Sequence, residues 1–78
     1  MIVRPRPASP TTRVARNASV VEAARVMLSE DVDELPVVEG DEIVGVVTDR
    51  DLVAKVMAKE LDPASTRIAD VCSVARGG

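Results

Sequence analysis

Apolar residues recur along the first half of the chain at helical spacing. Val20, Ala23, Ala24, Met27 and Leu28 stand at i, i+3, i+4, i+7 and i+8, with Glu22, Arg25 and Ser29 on the opposite face. That stripe predicts a helix from Val20 to about Glu30. Ser19-Val20-Val21-Glu22 opens it with the pattern of a capping box, in which Ser19 accepts from the Glu22 backbone N–H while the Glu22 side chain reaches back. The period then changes. Glu34 to Val38 and Glu42 to Thr48 are almost continuously apolar, and Glu39-Gly40-Asp41 between them suits a short hairpin turn with Gly40 at positive φ. Runs without alternation predict that both faces of the sheet are covered. Thr48 before Asp49, Arg50 and Asp51 reads as an N-cap with acids in the first turn, and Leu52, Val53, Val56 and Met57 give a second helix its apolar face as far as about Glu60. Pro5, Pro7 and Pro10 make residues 1–10 an irregular arm, followed by a short strand at Thr12 to Ala15. Asp62-Pro63 breaks the chain, and Ser65 or Thr66 is placed to cap a last short turn from Ile68 to Cys72 before Gly77-Gly78 frays. The order is βαββα. It is an α/β fold, more narrowly α+β, with a small three-stranded sheet and two helices between an irregular arm and a tail.

Composition sharpens this in two ways. A chain of 78 residues holds one domain, and folding at that size buries only roughly 60–65% of the surface the unfolded chain exposes. With 46% apolar residues and no Phe, Tyr or Trp, the thin core must be filled by Val, Ile, Leu, Met and Ala. One βαββα layer also leaves an apolar helix stripe or sheet face uncovered, which predicts a homodimer. The net charge of −3 conceals a basic beginning, since Arg4, Arg6, Arg13 and Arg16 all precede the first acidic residue, Glu22. No aromatic ring is present on which a base could stack, and the chain as a whole is acidic, so nucleic acid is excluded as a partner. The longest apolar run, Ile43 to Val47, is too short to cross a bilayer, which leaves no membrane role. One cysteine, Cys72, and no charged-then-apolar leader predict a cytoplasmic address.

Catalysis has little to work with. There is no histidine and no tyrosine, the one thiol lies near the end, and Asp49 and Asp51 are two apart on a helix, so they do not face each other as an acid–base pair. Glu30, Asp31, Asp33 and Glu34 suggest a calcium loop, yet Leu35 and Pro36 stand where a third ligand and a glycine belong, so no metal site is expected. The junction before the second helix is better suited to binding. Gly45 allows close approach of backbone, Thr48 offers a hydroxyl, and free helix N–H groups favour an anion, although Asp49 and Asp51 would repel phosphate. Arg50, or an arginine of the basic arm such as Arg13, is then needed as counter-charge.

Three stretches in register resemble one family. Ser19-Val-Val-Glu-Ala-Ala-Arg-Val-Met27, Glu34-Leu-Pro-Val-Val38 and Gly45-Val-Val-Thr-Asp-Arg-Asp-Leu52 look like a CBS motif, the βαββα unit of Bateman modules. The resemblance covers about Thr11 to Leu61. It divides the chain into an arm (residues 1–10), a CBS motif (11–61), and a linker with the start of a second-motif lead-in (62–78). Thr66-Arg-Ile-Ala-Asp-Val-Cys72 looks like that lead-in, with Cys72 where Met is usual, so a natural single motif, a truncated half and an engineered half all stay open.

In the family two motifs pair about a pseudo-twofold axis and hold adenine nucleotides, or less often other adenosyl compounds, between them. The resemblance therefore implies AMP, ADP or ATP as ligand, with S-adenosylmethionine behind them and no resident cofactor. It gives Asp51 the ribose diol and the residues before Leu35-Pro36-Val37, here Val32 and Glu34, the adenine wall. A carboxylate at Glu34 departs from the small or uncharged residues common there. Leu35, Pro36 and Val37 themselves read first as core. Thr12, Arg13, Val32, Glu34, Gly45, Thr48, Arg50 and Asp51 are the candidate ligand-binding residues. Two functions remain: a regulatory nucleotide-binding module acting as a homodimer, or an association domain whose cleft is empty.

Overall fold

The computed structural model describes residues 12–74; the arm of residues 1–10 and the fraying at Gly77-Gly78 lie outside the described residues. Strand β1 (Val14–Ala15) leads to helix α1 (Val20–Glu30), strands β2 (Glu34–Glu39) and β3 (Glu42–Thr48), and helix α2 (Asp49–Leu52). A π-helical turn (Val53–Met57), a 3₁₀ turn (Ile68–Asp70) and strand β4 (Ser73–Val74) complete it. The sheet order is β1-β2-β3-β4, with β1 parallel to β2 and the other pairs antiparallel. The predicted three strands are present, β1 two residues shorter than expected, and the tail adds a fourth.

Local chemistry explains most boundaries. Ser19 Oγ accepts from the Glu22 N–H at 3.2 Å and starts α1. The reciprocal contact expected from Glu22 is not formed: Glu22 is exposed, and the tail bonds on either side of Ser19, the Val20 N–H donating to Thr66 O and the Ile68 N–H to Ala18 O. At the other end Asp31 takes a left-handed conformation (φ 55°) and both its own N–H and that of Val32 return to Met27 O. Gly40 (φ 62°) occupies the first turn position between Glu39 and Glu42, which face each other across the hairpin. Pro36 is tolerated in an inner strand because β1 reaches β2 only at Val37 and Val38.

The core is aliphatic throughout. Leu35, Val37 and Val47 of the sheet, Val20, Ala23 and Met27 of α1, and Val56 after α2 pack together with Ile68 and Val71 from the tail. Several sequence expectations are corrected here. The second helix does not run unbroken to Glu60: after four residues it widens, Ala58 N bonding to Val53 O, and Glu60 ends it at φ 56°. The wider turn carries Val56 inward and leaves Val53 and Met57, expected on the apolar face, 54% and 70% exposed. Leu28 is likewise exposed, since the small sheet covers only a narrow stripe of α1. Ser65 and Thr66 do not cap the last turn; their hydroxyls bond back to Asp62 O. Finally, among the described residues only one sheet face is covered. Residues 35, 37, 45 and 47 are buried, whereas Pro36 and Val46 on the other face are half-buried and Ile43 is exposed, so Pro36 is not a core residue.

Candidate functional site

The uncovered sheet face forms the floor of an open cleft of about 730 Å³. Pro36, Ile43 and Val46 supply its apolar floor with the backbone of Gly45, and the α1–β2 loop, Asp31 to Glu34, walls it together with Thr12. Four of the expected ligand residues, Thr12, Val32, Glu34 and Gly45, are thus brought together. Thr12 is buried and donates its hydroxyl to Glu30 Oε1 at 3.2 Å. Val32 is half-buried against the core edge, and Glu34 is exposed. Gly45 is needed for a close approach, but the backbone that approaches is its own chain's: a Cβ there would collide with Ser73 O of β4.

The other four residues do not line the cleft. Arg13 and Arg50 are exposed, and Thr48 and Asp51 are occupied with each other at the mouth of α2. Thr48 Oγ1 accepts from the Asp51 N–H at 3.1 Å while Asp51 Oδ2 accepts from the Thr48 N–H at 2.9 Å, a complete capping box. Asp51 Oδ1 also meets Lys55 Nζ at 3.1 Å, and Lys55 donates to Val71 O at 3.0 Å. The register sets Glu34 opposite Thr48, so the two groups are neighbours across the β2–β3 ladder. A four-residue α-helix bearing Asp49 and Asp51 is also a poorer anion site than a long helix would be. Sequence reasoning missed Pro36, Ile43 and Val46 as floor and Lys55 as partner. The alternation from Glu34 to Pro36 points to the first of these, and the i,i+4 spacing of Asp51 and Lys55 points to the last.

Burial works to raise the Asp51 pKa, but the Thr48 N–H, the Lys55 ammonium and the Thr48 hydroxyl outweigh it and hold the carboxyl below its ordinary value. A lowered folded-state value means that Asp51 stabilises the fold above its unfolded pKa of about 4, and that this contribution is lost as the pH falls through the folded-state value. Urea denaturation from pH 6 downward should therefore show the stability of Asp51→Asn falling less steeply than wild type below about pH 4. Parallel curves would contradict it.

A second cleft, of about 440 Å³, lies by Gly40 and the 3₁₀ turn. Its charges are balanced, Arg16 and Arg67 against Glu39 and Asp70, and Arg16 already pairs with Glu39 at 2.8 Å. Among the described residues no helix is long and apolar enough to cross a membrane, and no group of side chains is arranged to hold a metal ion.

The CBS-domain family model matches residues 5–58. The chain belongs to the CBS-domain family. CBS domains are generally regulatory and often bind ligands. A protein with CBS domains from Burkholderia ambifaria superposes with a TM-score of 0.78 at 33% identity, over 81% of this chain and 46% of that one. A cystathionine beta-synthase domain protein fused to a Zn-ribbon-like domain gives 0.76 at 32%, over 80% and 90%. A hexameric CBS-CP12 protein from bloom-forming cyanobacteria gives 0.72 at 26%, over 81% and 36%. In sequence, an uncharacterized protein of Methanocaldococcus jannaschii is 45% identical over 40 residues, which are 51% of this chain and 21% of that protein. The CBS domain thus spans about a fifth of the curated relative it matches.

Proposed function

We propose that this CBS domain is a non-catalytic regulatory module that binds an adenine nucleotide in a cleft completed by a second copy of the chain. The observation that carries the reading is the open, apolar sheet face. Among the described residues nothing stands opposite the floor of Pro36, Ile43 and Val46, and the expected ligand residues divide into a cleft set (Thr12, Val32, Glu34, Gly45) and a junction set (Thr48, Arg50, Asp51) of which the second does not line the cleft. A twofold-related copy facing that floor would cover the apolar surface and bring its own junction to the cleft. The CBS-CP12 relative, described as hexameric, supports self-association of such domains. In this site Asp51 would accept from the ribose diol and Val32 to Glu34 would line the adenine edge.

One observation favours the alternative of an association domain with an empty cleft: the Asp51 carboxylate is already engaged by Thr48 and Lys55. A thermal-shift screen with AMP, ADP, ATP and S-adenosylmethionine separates the two. A ligand at 100 times its Kd should add about 2.7 kcal/mol, a shift of roughly 10–20 °C for a domain of this size. No shift with any of the four at millimolar concentration would leave the association reading.

A further inference from the structure

The apolar floor has a candidate occupant within the chain itself. The described chain starts at Thr12, which stands in the wall of the cleft. Strand β1 runs parallel to β2 with Val14 opposite Val37, so the chain followed backward from Thr12 heads toward Glu34 and the cleft rather than away from it. The residues before Thr12 can span at most roughly 36–40 Å. The six residues of β2 run only about 20 Å, so every part of the sheet face lies within reach. The chemistry of the two surfaces also matches. Ile2-Val3-Arg4-Pro5-Arg6-Pro7-Ala8-Ser9-Pro10 contains two arginines, three prolines and no acidic residue. The cleft offers Pro36, Ile43 and Val46 as floor, with Asp31, Asp33 and Glu34 in its wall. Aliphatic side chains and proline rings bury apolar area on such a floor, and guanidinium groups pair with carboxylates. Prolines also restrict the backbone before it docks, which lowers the entropy lost on docking. A tether this short holds the segment at an effective concentration of about 1 mM, which favours it over a free second copy at micromolar levels.

We propose that residues 2–10 dock on the floor of their own cleft, with Arg4 and Arg6 against Asp31, Asp33 and Glu34, and so close the floor to a second copy until they are displaced. The closure rests on the function proposed above, whereas the docking does not.

Paramagnetic relaxation on the whole chain tests this. A nitroxide is attached at Ala8→Cys in a Cys72→Ala background, and amide spectra of the dilute, isotope-labelled protein confirm the fold and read the broadening. The amides of Ile43, Gly45 and Val46 should broaden, and those of Leu28 and Met57, on the helical side of the sheet, should not. Most of the lost intensity should return in about 1 M NaCl, where the Debye length is about 3 Å, and with Arg4→Glu and Arg6→Glu combined. That double variant should also dimerise several-fold more tightly in sedimentation equilibrium. Sharp floor amides, or equal broadening on both sides of the sheet, would overturn the docking whether or not a nucleotide binds. Broadening of an isotope-labelled chain by a nitroxide on a separate chain would overturn docking within one chain. Broadening as expected with a dimer constant unmoved by the arginine variant would overturn the closure and leave the docking in place.

Discussion

Gly45→Val should cost about 2–3 kcal/mol of stability and lower the melting temperature by roughly 10–20 °C. Gly45 is buried in β3 opposite Val37, and on its other side β4 pairs with it through Val74. A side chain there meets the Ser73 carbonyl, which is backbone and cannot swing aside as a flexible side chain would. Relief requires β4 to leave β3, and β4 lies immediately beyond Ile68 and Val71, both in the core. The strain therefore reaches residues that a surface substitution would spare. Gly40→Asn is the control. A Cβ at Gly40 meets nothing within 4 Å, and its φ of 62° is one that Asn adopts more readily than most residues. Thermal melts should place Gly40→Asn within a few degrees of wild type. Equal melting temperatures for the two variants would contradict the assignment of Gly45 to the β4 contact.

Elements defined by local chemistry were legible in the sequence. The stripe from Val20 to Met27 and the Ser19 cap mark α1 at both ends, and Gly40 marks the hairpin. Thr48-x-x-Asp51 marks a junction whose capping box forms in full. What could not be read depends on groups distant in sequence. The tail that bonds on either side of Ser19, at Thr66 and Ile68, is more than 40 residues away in sequence, and nothing within α1 announces it. Val53 and Met57 fit a regular helical stripe, and only the π turn, set by how Val56 seats in the core, turns them outward. The apolar runs of β2 and β3 suggested two covered faces. The described residues supply helices for only one, so Pro36, Ile43 and Val46 become the floor of a cleft.

The site divides in the same way. Val32 and Glu34 stand out by their places in the CBS pattern and Gly45 by the close backbone approach it allows, and the three share a cleft with Thr12. Thr48 and Asp51 meet the requirements of helix capping as well as those of ligand binding, and within one chain the capping role is the one occupied. Lys55, which draws Asp51 toward the tail, shows its role only when Val71 is brought beside it in space.

A site shared between two subunits makes a sharp prediction for mixed dimers. Asp51→Ala removes the diol acceptor and should cost about 1.5–3 kcal/mol of AMP binding, while Glu34→Trp fills the adenine wall. Glu34 is the better position to block than Val32, because Val32 also packs against the core and Glu34 is exposed. Either variant alone should lose both sites of its dimer. After the two are mixed and re-equilibrated, about half the dimers are mixed, and each joins an intact Asp51 from one subunit to an intact wall from the other, restoring about a quarter of the wild-type sites. AMP titration calorimetry on the mixture, with circular dichroism confirming that both variants are folded, is the direct measurement. Recovery of about a quarter of the wild-type stoichiometry at wild-type affinity is the predicted result; no recovery from two folded variants would contradict a cleft completed by a second copy.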